Sequence, residues 1–283
     1  MIDSSRHVCA EPFFLTAGDG DRFCLFHAPR YTGECQRALV YIHPFAEEMN
    51  KSRRMAALQA KRFAQDGIAV LQIDLFGCGD SGGDFVDARW EIWLKDVEHA
   101  VDWLANRCSV SPGLWGLRLG GLLALDFAAR TERSFRDVLL WQPVLNGETY
   151  MTQFLRTRVA SAMLAGEQGK TEGTQALRTR MKNGESLEIA GYELAPALLE
   201  SIDKLNANDL IITRSPVHWM EVVAEAGRQM SPAASRVAGT WTRHGVDLHC
   251  NTVTGPAFWM SQEIADCPDL LTVSSNLFRE VVA

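Results

Sequence analysis

Apolar residues along the chain fall into two patterns: short unbroken runs, and longer stretches where they recur every three or four positions. Residues 38–42 are a continuous apolar run, and 68–73 and 138–141 are nearly or wholly apolar, the form expected of strands covered on both faces of a parallel sheet. Between them, residues 52–65 and 88–106 carry helical spacing, the second with Trp90, Trp93, Leu94, Val97, Val101 and Leu104 on one face. A short strand at 114–115, opened by Pro112, leads into a strong helix-forming stretch at 122–130. Near the start, apolar runs at 13–15 and 23–26 are separated by Gly18-Asp19-Gly20-Asp21, a hairpin signal.

From about residue 145 the pattern changes. Strands vanish, and amphipathic pieces such as 151–155 and 197–199 are broken by polar links between Gly166 and Gly173. Strand periodicity resumes at 216–223, followed by a helix over 233–243, a last strand over 246–253 and a terminal helix. The alternation predicts an α/β fold with a mostly parallel, doubly wound sheet. Its core comprises residues 1–144 and 211–283, and a helical cap at 145–210 follows the sixth strand. Ligands of such a sheet belong at the carboxyl ends of the strands.

At 283 residues, the chain suits one large domain with an insertion, and 47% hydrophobic residues provide for a sizeable core. The balance of 28 basic against 35 acidic residues, a net charge of −7, argues against nucleic acid or an anionic membrane as partner. The seven cysteines (Cys9, Cys24, Cys35, Cys78, Cys108, Cys250 and Cys267) are scattered and odd in number, so reduced thiols are expected. No metal site and no cofactor are expected. Residues 1–7 carry no apolar signal, and no stretch approaches the ~18 apolar residues of a spanning helix, so the expectation is a soluble, cytoplasmic protein.

The candidate chemistry centres on Gly116-Leu117-Arg118-Leu119-Gly120-Gly121. A strand, Gly-x-Xaa-x-Gly and a helix form a nucleophile elbow, in which glycines let the chain turn sharply enough to expose the middle side chain. Here that residue is Arg118. Arginine offers hydrogen-bond donors only, so it can neither attack a carbonyl nor accept a proton.

This elbow, the His43-Pro44 loop and the Asp74-x-x-Gly77-x-Gly79-x-Ser81 loop together resemble the α/β-hydrolase superfamily. The stretch from His43 to Arg53, with Gly77-Cys78-Gly79-Asp80-Ser81 and Gly255-Pro256-Ala257-Phe258-Trp259, is similar over nearly the whole chain to the exosortase A system-associated hydrolase 2 family. That resemblance implies a bacterial protein accompanying the machinery that sorts PEP-CTERM proteins, linked to exopolysaccharide production. Superfamily members use an elbow nucleophile, an acid after the next-to-last strand and a histidine after the last strand. The resemblance puts the acid at Glu225, with Glu221 four residues earlier, and finds no histidine after Asn251.

Two readings of Arg118 follow. In one, its guanidinium pairs with Glu225 or Glu221 and fills a dead slot. In the other, it faces the pocket and forms an anion site with the backbone N–H groups of Phe45 and Leu119. Glu47 and Glu48 are a solvated loop edge or an acid/base pair, and His249 is the histidine to test as a displaced base. His43 shapes its loop, and Cys78 is a candidate exposed thiol. Trp141, Gln142, Phe258 and Trp259 at strand ends suggest an apolar pocket beneath the cap. The expected partner is an acyl or anionic small molecule. The alternatives are a true hydrolase or acyltransferase working without serine, and a scaffold for another protein of the exosortase system.

Overall fold

The computed structural model describes residues 10–18, 20–30, 35–164 and 172–279. The opening hairpin consists of β1 (Ala10–Ala17) and β2 (Gly20–His27); Asp19 at its turn, like Cys9 and residues 1–7, lies outside the described residues. The core continues with β3 (Arg37–Ile42), α1 (Glu47–Gln65), β4 (Ile68–Ile73), α2 (Trp90–Cys108), β5 (Gly113–Leu117), α3 (Leu119–Arg130) and β6 (Val138–Trp141). An insertion follows, made of α4 (Gly147–Leu164), α5 (Thr174–Lys182), β7 (Leu187–Ile189), β8 (Tyr192–Leu194) and α6 (Pro196–Asp203). The chain then completes the core with β9 (Val217–Val223), α7 (Pro232–Arg243), β10 (Leu248–Thr254) and α8 (Pro268–Arg279).

Eight strands form one sheet in the order β1-β2-β4-β3-β5-β6-β9-β10, antiparallel up to the β2–β4 pairing and parallel from β4 onward. The unbroken apolar runs are explained by burial on both faces. In β6, Val138 and Leu140 pack into one core layer, with α2, α3 and α7; Leu139 and Trp141 enter the other, with α1 and α8. Two buried pairs show how polar groups are held in the core: Arg22 Nε bonds Asp96 Oδ1 at 2.7 Å, and Trp90 Nε1 donates to Asp126 Oδ2 at 2.7 Å. Burying either charge without its partner would cost several kcal/mol, on the order of 3–5.

Two expectations need correction. The first long helix begins at Glu47, not residue 52, because the chain turns at Ala46 and enters the helix directly from the His43-Pro44 loop. The insertion is not free of strands: β7 and β8 form a small antiparallel hairpin, turning at Ala190-Gly191, where both residues have positive φ. Most of the predicted polar link between Gly166 and Gly173 lies outside the described residues.

The insertion leaves and rejoins the core through a stitched pair of segments. Gly147 N–H donates to Leu205 O at 2.9 Å, and Ala207 N–H to Leu145 O at 2.8 Å. Arg178 ties its helices together by binding Asp203, the Thr152 hydroxyl and the Glu148 carbonyl. The hairpin reaches over the core, where Tyr192 accepts a hydrogen bond from Asn50 Nδ2 at 3.0 Å and packs edge-on to Phe85. No helix among the described residues is long and apolar enough to cross a membrane.

The α3 elbow is held by close backbone approach. A Cβ on Gly120 would stand 2.2 Å from Ile42 O and 2.4 Å from His43 O, so β3 would have to move. Gly120→Ala is therefore expected to destabilise the fold by about 3 kcal/mol or more. Urea unfolding measures it, and a loss below about 1 kcal/mol would show that the approach is not constraining.

Candidate functional site

Arg118 stands between β5 and α3 with φ 54° and ψ −118°. A side chain is rarely tolerated there, and holding one costs on the order of 1–3 kcal/mol. Ala46, between the β3 loop and α1, has nearly the same conformation, at φ 49° and ψ −128°. Gln142, just past β6, has φ 44°. The strained residues thus lie at the carboxyl ends of the adjacent strands β3, β5 and β6, where a doubly wound sheet places its ligand.

The Arg118 side chain is placed differently from either expected pairing. Its Nε and Nη2 donate to Glu48 Oε1 at 3.3 and 3.2 Å, forming an ion pair. Its Nη1 makes a long 3.5 Å contact with the Gln142 carbonyl. The rings of Tyr150 and Trp259 lie near the guanidinium, with centroids 5.6 and 5.4 Å from its carbon. Cation–π contacts of this kind contribute roughly 0.5–2 kcal/mol each, enough together to offset the strain of the turn.

Glu48 gains its place from the sharp turn at Ala46, which puts it in the first turn of α1. Its other oxygen accepts the Tyr150 hydroxyl at 3.1 Å. Burial raises its carboxyl above the ordinary 4.5, outweighing the opposing pull of Arg118 and of the Tyr150 hydrogen bond. Tyr150 is in turn held protonated, first by burial and then by the Glu48 charge. Glu47 points away, exposed, and accepts a weak 3.3 Å bond from Asn50.

The proposed acids are separated from Arg118. Glu225 lies in an exposed turn beyond β9. Glu221 is buried within β9, where it accepts Trp219 Nε1 at 3.2 Å and the Ser231 N–H at 3.4 Å. Neither binds the guanidinium, because Glu48 is delivered to it from α1. The reading of His249 as a displaced base is also corrected. It is the second residue of β10, exposed, bound to Asp247 at 3.0 Å and stacked on His218. Thr254, at the carboxyl end, is five residues further, roughly 17 Å along the strand.

His43 is saturated. Its Nε2 must accept the Leu75 N–H at 3.1 Å, so Nδ1 carries the proton and donates to Pro44 O at 2.7 Å. Burial lowers its basicity further, and it serves as a loop brace. Cys78 is buried rather than exposed, and burial beside Asp74 and Asp96 pushes its thiol far up. With Phe45 and Leu119, these residues face a void of only about 10 Å³. It has room for no more than one water.

The larger cavity, about 470 Å³, opens on the other side of Arg118, between the ends of β6 and β9, the start of α4 and the first turns of α7. Its size is that of a small-molecule site. Gln142 lines it, as do Tyr150, Glu221 and Arg236. The expected apolar pocket needs correction here. Trp141 turns into the α1/α8 layer, where its Nε1 donates to Ser274 Oγ at 2.9 Å, and Phe258 is wholly buried against it. Only Trp259 of the final loop reaches Arg118. Tyr150, Asn206, Asn208 and Arg236 are additions that sequence reasoning missed, since no local pattern ties the cap or α7 to the elbow.

The described cysteines are free, and no group of three metal-ligating side chains occurs among the described residues. Residues 33–247 match the model of the family described as serine aminopeptidase, S33. No curated protein sequence matches the chain. Among solved structures it is similar to Est1E from Butyrivibrio proteoclasticus with bound ferulic acid, at 16% identity and TM-score 0.67, covering 95% of this chain and 98% of that one. A thermostable carboxyl esterase from Bacillus coagulans in complex with glycerol is similar at 10% identity and TM-score 0.66, covering 97% and 99%. Proline iminopeptidase from Mycobacterium smegmatis follows at 13% identity and TM-score 0.59, covering 95% and 98%. At these identities, the likeness is one of fold.

The Glu48 environment sets a pH test. A carboxyl raised in the folded state contributes stability that is present below its unfolded value and lost as pH rises through its folded value. The unfolding free energy of the wild type minus that of Glu48→Gln is therefore expected to fall as pH rises from 4 through the raised titration range. Urea titrations at a series of pH values measure it, and a flat difference would show that burial does not dominate.

Proposed function

The chain belongs to the serine aminopeptidase S33 family of α/β-hydrolases, and we propose that within it this protein has given up serine-triad chemistry and uses the fold as a capped binding site. One observation carries the reading: the apex of the elbow is a guanidinium held by Glu48 between Tyr150 and Trp259. A donor-only side chain supplies no nucleophile. The loop after β10 brings the indole of Trp259 to Arg118, with no imidazole between residues 251 and 283.

The ligand is a small anionic molecule in the 470 Å³ cavity. Arg118 suits this double role, because a fork-shaped donor can hold Glu48 on one edge and turn Nη1 toward a ligand. The similarity of the His43 to Arg53 stretch to exosortase-associated proteins supports a place beside that machinery, in the cytoplasm of a bacterium. A purely protein-binding scaffold would leave the cavity without a ligand.

A second reading has its own support in the raised Glu48 carboxyl beside the Tyr150 hydroxyl. There Glu48 serves as general acid/base and Arg118 stabilises an oxyanion, giving hydrolysis or acyl transfer without serine.

A fluorophosphonate probe and short-chain nitrophenyl esters separate the readings. The wild type is expected to show neither labelling nor turnover. Arg118→Ser is expected to stay unlabelled, because the loop after β10 offers the new hydroxyl no histidine as base. Labelling of a single serine in the wild type would overturn the proposal, and turnover abolished by Glu48→Gln would establish the second reading instead.

A further inference from the structure

Three of the five amides that line the cavity share one orientation. Gln142 Oε1 accepts the Val222 N–H at 2.6 Å, Asn146 Oδ1 the Thr149 N–H at 2.8 Å, and Asn206 Oδ1 the Asn208 N–H at 3.0 Å. Only an oxygen can accept from a backbone N–H, so in each amide the NH2 is the group left over. None of the three NH2 groups has an acceptor among the described residues. Ser231 follows the same rule: its oxygen accepts the Ala234 N–H at 3.2 Å, leaving its O–H to donate. All four residues line the cavity.

Charge is distributed in a related way. Arg118 is neutralised by Glu48. Arg236, on α7, also lines the cavity and has no ion-pair partner among the described residues. Acceptors are fewer. Glu221 is already engaged by Trp219 and Ser231. Asn208 Oδ1 is buried and has no hydrogen-bond partner.

A chain of methylenes in this space would displace water from the amides and leave them unpaired, which disfavours it. A hydroxylated ligand does the reverse: its oxygens accept from the NH2 groups. We infer that the cavity is a site for a polyhydroxylated acid, a sugar bearing one carboxylate or phosphate. The ring hydroxyls are held by Gln142, Asn146 and Asn206, and the acidic group by Arg236. This assignment rests on the reading of the chain as a binding protein and narrows its anionic ligand to a class.

Calorimetric titration of the full chain with glucuronate, galacturonate, glucose 6-phosphate, glucose and octanoate tests it. At least one sugar acid or sugar phosphate is expected to bind at least tenfold tighter than glucose, and octanoate not at all; the uronate and phosphate arms decide which acidic group is used. Arg236→Ala, an exposed change, is expected to bring the acid down to the level of glucose. Asn206→Asp keeps the oxygen that accepts the Asn208 N–H and removes only the NH2, so it is expected to fold as well as the wild type while weakening the sugar acid at least fivefold. Tighter binding of octanoate than of any sugar overturns the ligand class and leaves the binding reading standing. No binding of any of the five overturns the inference, as does an Asn206→Asp or Arg236→Ala variant that binds like the wild type. Failure of the binding reading itself shows separately, as serine labelling.

Discussion

The backbone at Arg118 is the constraint on which the site depends. A residue with a full side chain is held at positive φ between a strand and a helix, and it stays there because the glycines around it admit no atoms. Gly116 faces Gly120 and Gly121 closely enough that a Cβ would stand 2.5 Å from their backbone, and Gly120 lies against β3 in the same way. The turn is therefore set by packing of main chain on main chain, whatever side chain its apex carries. In a hydrolase such a turn presents a nucleophile; here it presents a positive charge. The strain is offset by what that charge touches.

Those contacts explain why neighbouring turns are arranged as they are. Ala46 adopts nearly the same conformation one strand away and so starts α1 early enough for Glu48 to reach Arg118. Tyr150 from the cap bonds the same carboxylate and brings its ring to the guanidinium, linking insertion and core. Trp259 brings a second ring from the loop after β10. Four separate segments thus meet at one ion pair. Removing either charge would strand the other partly buried, a larger penalty than the net worth of the pair.

The cluster also divides the space at the strand ends. On the side of Phe45 and Leu119, aromatic packing leaves almost no volume; Phe45 alone meets Phe85, Trp93, Tyr150 and Phe154. On the side of Gln142 and α7, the cavity is open and its side chains are mainly amides and hydroxyls. The cavity that Arg118 lines thus extends toward β9 and α7.

Much of this was legible in the chain itself. Unbroken apolar runs separated by helical spacing require a sheet covered on both faces, and Gly-x-Arg-x-Gly between a strand and a helix requires the sharp turn; both depend on residues near one another in sequence. The absence of a serine at the elbow and of a histidine in the last loop could be read directly. The partner of Arg118 could not. Glu221 and Glu225 matched an expected position after a strand, yet Glu48, 70 residues away, reaches the guanidinium because Ala46 turns sharply before α1. Trp141 and Phe258 stand near strand ends, where a pocket is expected, yet Trp141 turns toward α8 and Phe258, in the loop after β10, packs on it in the core. Which face a strand-end side chain takes, and which distant carboxylate reaches a cation, are set by how the layers close over one another, and local pattern carries no record of that closure.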